Sequence, residues 1–142
     1  MKKVTIAIVL ALVLVLSTVG AAGAITGGQL DGDGHPYGGL VLVPGIGVCS
    51  GTLIDEDLVL TAGHCTTFFT ANEFSEVWIT FDSEAAVDED WFPIPGEGTW
   101  YVSTSWITHP NYVDANWPFT ADYGLMFLDE PVADITPAAL PG

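Results

Sequence analysis

Basic side chains are almost absent from this sequence. Its 142 residues include two Lys or Arg against 18 Asp or Glu, and the two basic residues are Lys2 and Lys3. The formal net charge is −16, and it is −18 for residues 25–142, which contain neither lysine. Such a surface repels phosphate backbones and anionic lipid headgroups, which argues against nucleic acid or a membrane surface as a partner. Cations screen this repulsion, so a saline or calcium-containing medium fits the composition.

Long apolar runs are also absent, except near the N-terminus. Val4 to Leu16 is almost wholly apolar, follows the two lysines and precedes the small residues Ala22-Gly23-Ala24. A short basic region, an apolar stretch and a small-residue site are typical of a secretory signal. The alternative is an uncleaved anchor, but this run is short for roughly 30 Å of hydrocarbon. The sequence therefore predicts a signal peptide over residues 1–24, a mature N-terminus at Ile25, a secreted protein and no membrane contact after cleavage.

Cysteine is scarce as well, and the pair Cys49 and Cys65 makes up the whole complement. Two cysteines in an exported chain point to one disulfide. Apolar residues are plentiful, with 5 Trp, 7 Phe and 4 Tyr, so the acidic chain retains enough apolar surface to fold. Residues 25–142 are long enough for one domain of ordinary size.

Period-two alternation dominates the part of the chain after the signal. The apolar and β-branched runs lie at residues 40–43, 48–54, 58–60, 76–81, 101–107 and 123–128. Glycine, proline or acidic turns separate several of them, and no stretch sustains a long helical period. This pattern predicts an all-β fold, an antiparallel sandwich or barrel.

One acidic segment, residues 82–98, interrupts the strand pattern and is predicted to be an exposed loop. Its acidic side chains are Asp82, Glu84, Asp88, Glu89, Asp90 and Glu97. Carboxylates suit a hard cation such as calcium, although their spacing does not match an EF-hand loop. A solvated loop is therefore the main prediction, with calcium binding as the alternative and no other cofactor expected.

The stretch from Thr61 to Cys65 combines a histidine with one of the cysteines. Pairing of Cys49 with Cys65 would close a loop of about sixteen residues and restrain the backbone beside His64, at roughly 3 kcal/mol of stabilisation. A restrained histidine suits a general base, which must stay within hydrogen-bond reach of its nucleophile. Asp122, at the start of an apolar run, could accept the other imidazole N–H. The two side chains would then be two of the three groups of a nucleophilic triad.

Four segments, taken in order, resemble the trypsin-like (chymotrypsin-fold) serine endopeptidases. They are Ile25-Thr26-Gly27-Gly28, the pair Cys49-to-Ile54 with Leu60-to-Cys65, His109-Pro110-Asn111-Tyr112, and Asp122-to-Leu128 followed by Pro131-Val132. The histidine motif with its cysteine is the most specific of these. The resemblance covers residues 25–142 and corresponds to the first half of the family's domain.

The resemblance implies that residues 25–142 form the first of the family's two antiparallel barrels, with roughly six strands. It also implies that His64 is the general base and then acid, that Asp122 orients it, and that Cys49 and Cys65 form the structural bridge. His109 and His35 have no catalytic counterpart in the family and are expected to be loop residues. Zinc binding by the histidines and cysteines competes with this interpretation, but their spacing disfavours it, and no metal site is predicted.

The serine nucleophile, its oxyanion amides and the specificity pocket belong to the family's second barrel and have no counterpart in these residues. The expectation is thus an N-terminal portion of a secreted serine endopeptidase, truncated before the serine and inactive alone, acting on polypeptides once completed. One alternative is a secreted binding module built on a single protease-like barrel. The other is a stand-alone acidic domain that binds ions.

Overall fold

Among the residues that the structure describes, six strands coincide with the six period-two runs of the sequence. The computed structural model describes residues 31–32, 34–43, 46–113, 115 and 121–141. The strands are β1 (Gly38–Val43), β2 (Gly47–Asp55), β3 (Leu58–Thr61), β4 (Val77–Thr80), β5 (Tyr101–Thr108) and β6 (Gly124–Leu128). The predicted signal peptide and Ile25 lie outside the described residues, so both stay predictions.

These strands close into an antiparallel barrel in the order β1-β2-β3-β6-β5-β4. Leu40 to Leu42 of β1 pair with Thr80 to Trp78 of β4, which completes the circle. Closure gives every strand two neighbours and leaves no unpaired sheet edge. The predicted all-β fold with an antiparallel barrel is therefore confirmed.

The barrel interior is filled by the inward-facing members of the alternating runs. Val41, Leu53, Val59, Ile79 and Met126 are fully buried. Packing is tight, because a β-carbon added at Gly51 would lie 2.6 Å from a methyl group of Val59. Such a core has no room for a ligand, so chemistry has to occur at the barrel's surface.

In the described part of the chain, a helix, α1 (Gly63–Ala71), begins two residues after the end of β3. The sequence pattern predicts no helix there, because the segment is short and its buried side combines apolar Cys65 and Phe69 with the polar residue Thr66. Phe69 is fully buried and packs edge-to-face on Trp106 of β5, with ring centroids 5.4 Å apart. The helix thus covers one end of β5 and β6 and carries Gly63, His64 and Cys65 of the histidine motif.

The acidic segment is an exposed loop, as predicted. Its one regular feature is an isolated antiparallel bridge between Val87 and Pro93. Within the turn, Oδ1 of Asp88 accepts hydrogen bonds from the backbone N–H groups of Asp90 (3.0 Å) and Phe92 (2.8 Å). At the loop's base, Oδ2 of Asp82 accepts one from the amide of Thr99 at 2.6 Å. These two carboxylates therefore order the loop's own backbone.

Candidate active site

His64 is the second residue of helix α1, where the chain leaves β3 and turns over the end of the barrel. Its side chain is 59% exposed. The preceding residue, Gly63, is buried, and a β-carbon there would lie 3.1 Å from backbone atoms of Tyr123. Glycine at this position therefore allows the start of α1 to approach the segment that leads into β6.

Asp122 lies in that segment, two residues before β6 begins. Thr61, the last residue of β3, pairs with Gly124, the first residue of β6. This pairing brings the end of β3, which leads to His64, next to the start of β6, which follows Asp122. The two residues thus lie together although 58 positions separate them in sequence. No helix or turn signal in the sequence encodes this contact, because it depends on the pairing of β3 with β6.

Three contacts join the two residues. Nδ1 of His64 lies 2.9 Å from Oδ2 and 3.2 Å from Oδ1 of Asp122, and the backbone N–H of His64 donates to Oδ1 at 2.8 Å. An ionised carboxylate only accepts hydrogen bonds, so Nδ1 carries the imidazole proton and Nε2 presents a lone pair. This is the tautomer that a general base needs.

The environment of Asp122 favours its ionised form. The hydrogen bond from the His64 side chain is the largest influence and lowers the pKa of the Asp122 carboxyl below its ordinary value. Burial opposes this shift, while the backbone amides of His64 and Gly63 and the charge of His64 add to it. Since the side chain is 25% exposed, solvent screens part of the effect. The carboxylate therefore remains charged and able to hold the imidazole across the neutral range.

The predicted disulfide joins Cys49 of β2 to Cys65 of α1, immediately after His64. Ligand atoms of Cys49, His64 and Cys65 lie within 4.8 Å of one another, the one group of three or more potential ligands found among the described residues. Both sulfurs are committed to the disulfide and cannot act as thiolate ligands, so the zinc alternative has no donor set here.

An apolar cleft of about 560 Å³ opens beside His64. Besides His64 and the disulfide, its lining includes Val43 of β1, Ile46 of the turn before β2, Val48 of β2, Phe68 of α1 and Tyr112 of the turn after β5. Ile46 and Val48 are 57% and 46% exposed, so two aliphatic side chains of the lining are accessible to solvent. This cleft was not predicted from the sequence; the apolar residues flanking Gly47 were the available signal.

The two remaining histidines stand apart from this lining. The ring of His109 packs against the ring of Tyr123 at an interplanar angle of 46°, with centroids 4.3 Å apart, and its Nδ1 accepts a hydrogen bond from the amide of Asn111 at 3.2 Å. His35 pairs with the exposed carboxylate of Asp31 at 2.9 Å. Both side chains lie in loops, as expected for residues without a catalytic counterpart.

The family model for Trypsin matches residues 25–142. The chain belongs to the trypsin family. Among solved structures, it is similar to HL collagenase, with a TM-score of 0.59 and 24% identity over 83% of this chain and 48% of the collagenase. Kallikrein-related peptidase 10 matches at a TM-score of 0.49 and 24% identity, over 75% of this chain and 42% of the peptidase. The chain thus spans somewhat less than half the length of these two proteins.

Membership in the trypsin family agrees with the barrel, which corresponds to the first of the two barrels of the chymotrypsin fold. Among the residues that the structure describes, no helix is long and apolar enough to cross a membrane. His64, Asp122, Cys49 and Cys65 come together at one end of this barrel. The hydroxyl groups of Thr66 and Thr108, which lie beneath the first turn of α1, belong to no motif and were not predicted from the sequence.

Proposed function

We propose that this chain supplies the general base and its orienting carboxylate to a secreted serine endopeptidase. The observation that carries the proposal is the His64–Asp122 pair. Its contacts leave Nε2 as the proton-accepting atom of an exposed imidazole that also lines an apolar cleft. Membership in the trypsin family makes peptide-bond hydrolysis the reaction that such a pair serves best.

In this mechanism Nε2 of His64 takes the proton from a serine hydroxyl as its oxygen attacks the peptide carbonyl carbon. The carbonyl π bond opens to an oxyanion, and the imidazolium is stabilised by the Asp122 carboxylate. Nε2–H then protonates the departing amine as the C–N bond breaks, leaving an acyl-enzyme. Water repeats the sequence with the same base, so the serine and the imidazole are regenerated. The serine and the oxyanion donors would come from a second barrel, outside the described residues.

The remaining features fit an exported protease acting on polypeptides. Residues 1–24 would be removed as a signal peptide, leaving Ile25 as the mature N-terminus of the domain over residues 25–142. A disulfide beside the base suits an oxidising compartment. The cleft, lined mostly by apolar side chains, would accept an apolar side chain of the substrate next to the bond being cut.

The test compares two histidine variants of the complete gene product. His64→Ala should lower kcat/KM for peptide hydrolysis by about 10⁴-fold or more and abolish labelling by a fluorophosphonate. His35→Ala is the matched control, because His35 is similarly exposed and also pairs with a carboxylate at 2.9 Å, yet stands apart from the cleft. It should leave both measurements unchanged.

A polypeptide limited to residues 25–142 should not react with the fluorophosphonate at all. Stoichiometric labelling of that polypeptide would contradict the proposal, because it would require a nucleophile within these residues. If the complete product shows neither hydrolysis nor labelling but remains folded, the binding-module alternative takes precedence.

A further inference from the structure

We infer that Thr66 is a positioning residue, whose buried hydroxyl fixes the turn carrying His64 against the strands that hold Asp122. The inference rests on the proposed function only in treating the His64–Asp122 pair as catalytic. The two residues belong to different elements, so their contact depends on how α1 is seated on β5 and β6. Thr66 lies on the side of α1 that packs against these two strands, and it has no exposed surface.

The hydroxyl of Thr66 makes two hydrogen bonds. Its Oγ1 donates to the carbonyl oxygen of Gly63 at 3.1 Å and lies 2.7 Å from Oγ1 of Thr108 in β5. A carbonyl oxygen only accepts, so the single hydroxyl proton of Thr66 points to Gly63 and the Thr108 hydroxyl must donate to Thr66. The two hydrogen bonds therefore run from Thr108 to Thr66 and from Thr66 to Gly63, the residue that immediately precedes His64.

The same hydroxyl lies directly over the strand that follows Asp122. A β-carbon on Gly124 would lie 2.5 Å from Oγ1 of Thr66 and 2.8 Å from its methyl group. Gly124 pairs with Thr108 on one side and with Thr61 on the other. One side chain therefore contacts the turn of His64, the end of β5 and the first residue of β6.

Helix α1 offers a second hydroxyl link to β5, which provides a matched control. Oγ1 of Thr70 accepts a hydrogen bond from the indole N–H of Trp106 at 3.0 Å and donates to the carbonyl oxygen of Thr66 at 3.0 Å. This link joins the same two elements one turn farther from His64. Loss of either hydroxyl would loosen the contact between α1 and β5. If Thr66 has a positioning role, only the loss of its own hydroxyl should disturb the placement of His64.

The readout is the imidazole Nδ1–H proton of His64, observed by NMR in the full chain without substrate. Thr66→Val keeps the shape of the side chain and removes its hydroxyl, so exchange of this proton with water should become about 3 to 10 times faster. Thr66→Ser restores the hydroxyl and should return the exchange rate to that of the parent protein. Thr70→Val should leave the rate unchanged, even where it lowers the melting temperature.

Thr108→Val removes the donor to Thr66 and gives an independent variant if Thr66→Val does not fold. It should accelerate exchange in the same way, and the double variant should show less than the product of the two effects, because both changes break one network. Unchanged exchange in Thr66→Val, or in Thr108→Val if that is the variant that folds, would overturn the inference. Equal acceleration in Thr70→Val would do so too.

These outcomes are separable from those of the proposed function. A complete product without peptidase activity, but with the expected exchange pattern, would refute the catalytic role and leave the positioning role intact. In an active enzyme, Thr66→Val should lower kcat and leave KM nearly unchanged, because the substrate does not contact a fully buried residue. An active enzyme in which Thr66→Val leaves both exchange and kcat unchanged would refute the positioning role alone.

Discussion

Asp122 is held by two atoms of the same partner residue, the ring Nδ1 and the backbone nitrogen of His64. The backbone contact is independent of the imidazole, so it holds the carboxylate in place whatever the ring's protonation state. The side-chain contact selects the tautomer. At the residue scale, one contact of Asp122 therefore does not depend on the charge of the ring, and a variant that keeps the shape of Asp122 can test the contribution of its own charge.

Asp122→Asn should show a stability cost that depends on pH. The pKa of Asp122 is lowered from 3.8 in the folded state, so the unfolded chain binds the proton more readily. The carboxylate's stabilisation is thus fully present above the ordinary aspartate pKa and is lost as pH falls through the lower folded value. The difference in unfolding free energy between parent and variant, measured by urea denaturation, should be larger at about pH 6 than at about pH 2. A difference that stays constant over this range would contradict the assigned contact.

At the element scale, the strands are readable from sequence because alternation is a local property. Each predicted run lies within two residues of its strand, and the turns between runs carry their own residue signals. Helix α1 is different, since its buried side includes Thr66, whose hydroxyl is satisfied by a residue 42 positions away. A local sequence pattern cannot indicate a hydrogen-bond partner so far away in the chain. The strands of the fold were therefore largely predictable, whereas the position of α1 on the barrel was not.

The candidate site divides in the same way. His64, Asp122 and the two cysteines could be predicted because they occur in motifs with a recognisable order. Their geometry could not, since it depends on the pairing of β3 with β6 and on the close approach that Gly63 and Gly124 allow. The apolar cleft has a similar origin, because its lining comes from three separate stretches of the chain, within residues 43–49, within residues 64–71, and at Tyr112.

Gly124→Ala should disturb the contact between α1 and β6. The new methyl group would lie 2.5 Å from the Thr66 hydroxyl and 3.0 Å from the backbone oxygen of Ile107, so the helix or the strand must shift. We expect a loss of about 1–3 kcal/mol in unfolding free energy, together with a displaced His64 ring resonance.

Gly38→Ala in β1 is the control for this change, because the nearest atom to its methyl group would be 3.3 Å away. Its loss of unfolding free energy should be smaller, and the His64 resonance should not move. Equal losses in the two variants, with an unmoved His64 resonance in both, would show that α1 is not seated as described.

At the scale of the whole molecule, the acidic side chains have almost no Lys or Arg side chains to pair with. Neither Lys nor Arg occurs in residues 31–141, and in the described residues the two histidine–carboxylate pairs are ion pairs only while the histidine is protonated. Lysine or arginine cannot offset the acidic side chains, so the folded barrel carries uncompensated repulsion that the expanded unfolded chain relieves. Protein stability should therefore depend on the ions in solution.

Raising NaCl from about 0.05 M to about 1 M should raise the melting temperature of the full chain by roughly 5 °C or more, because the Debye length shrinks to about 3 Å. The triple variant Glu84→Gln, Glu89→Gln, Asp90→Asn neutralises three exposed carboxylates of the acidic loop and should show a smaller rise in melting temperature.

The same measurement with calcium at matched ionic strength separates screening of the charges from specific ion binding. A saturable stabilisation at millimolar calcium, lost in the triple variant, would establish an ion site in residues 82–98. Equal stabilisation by both salts would leave screening as the sole effect, and a melting temperature independent of salt would refute the role of charge repulsion.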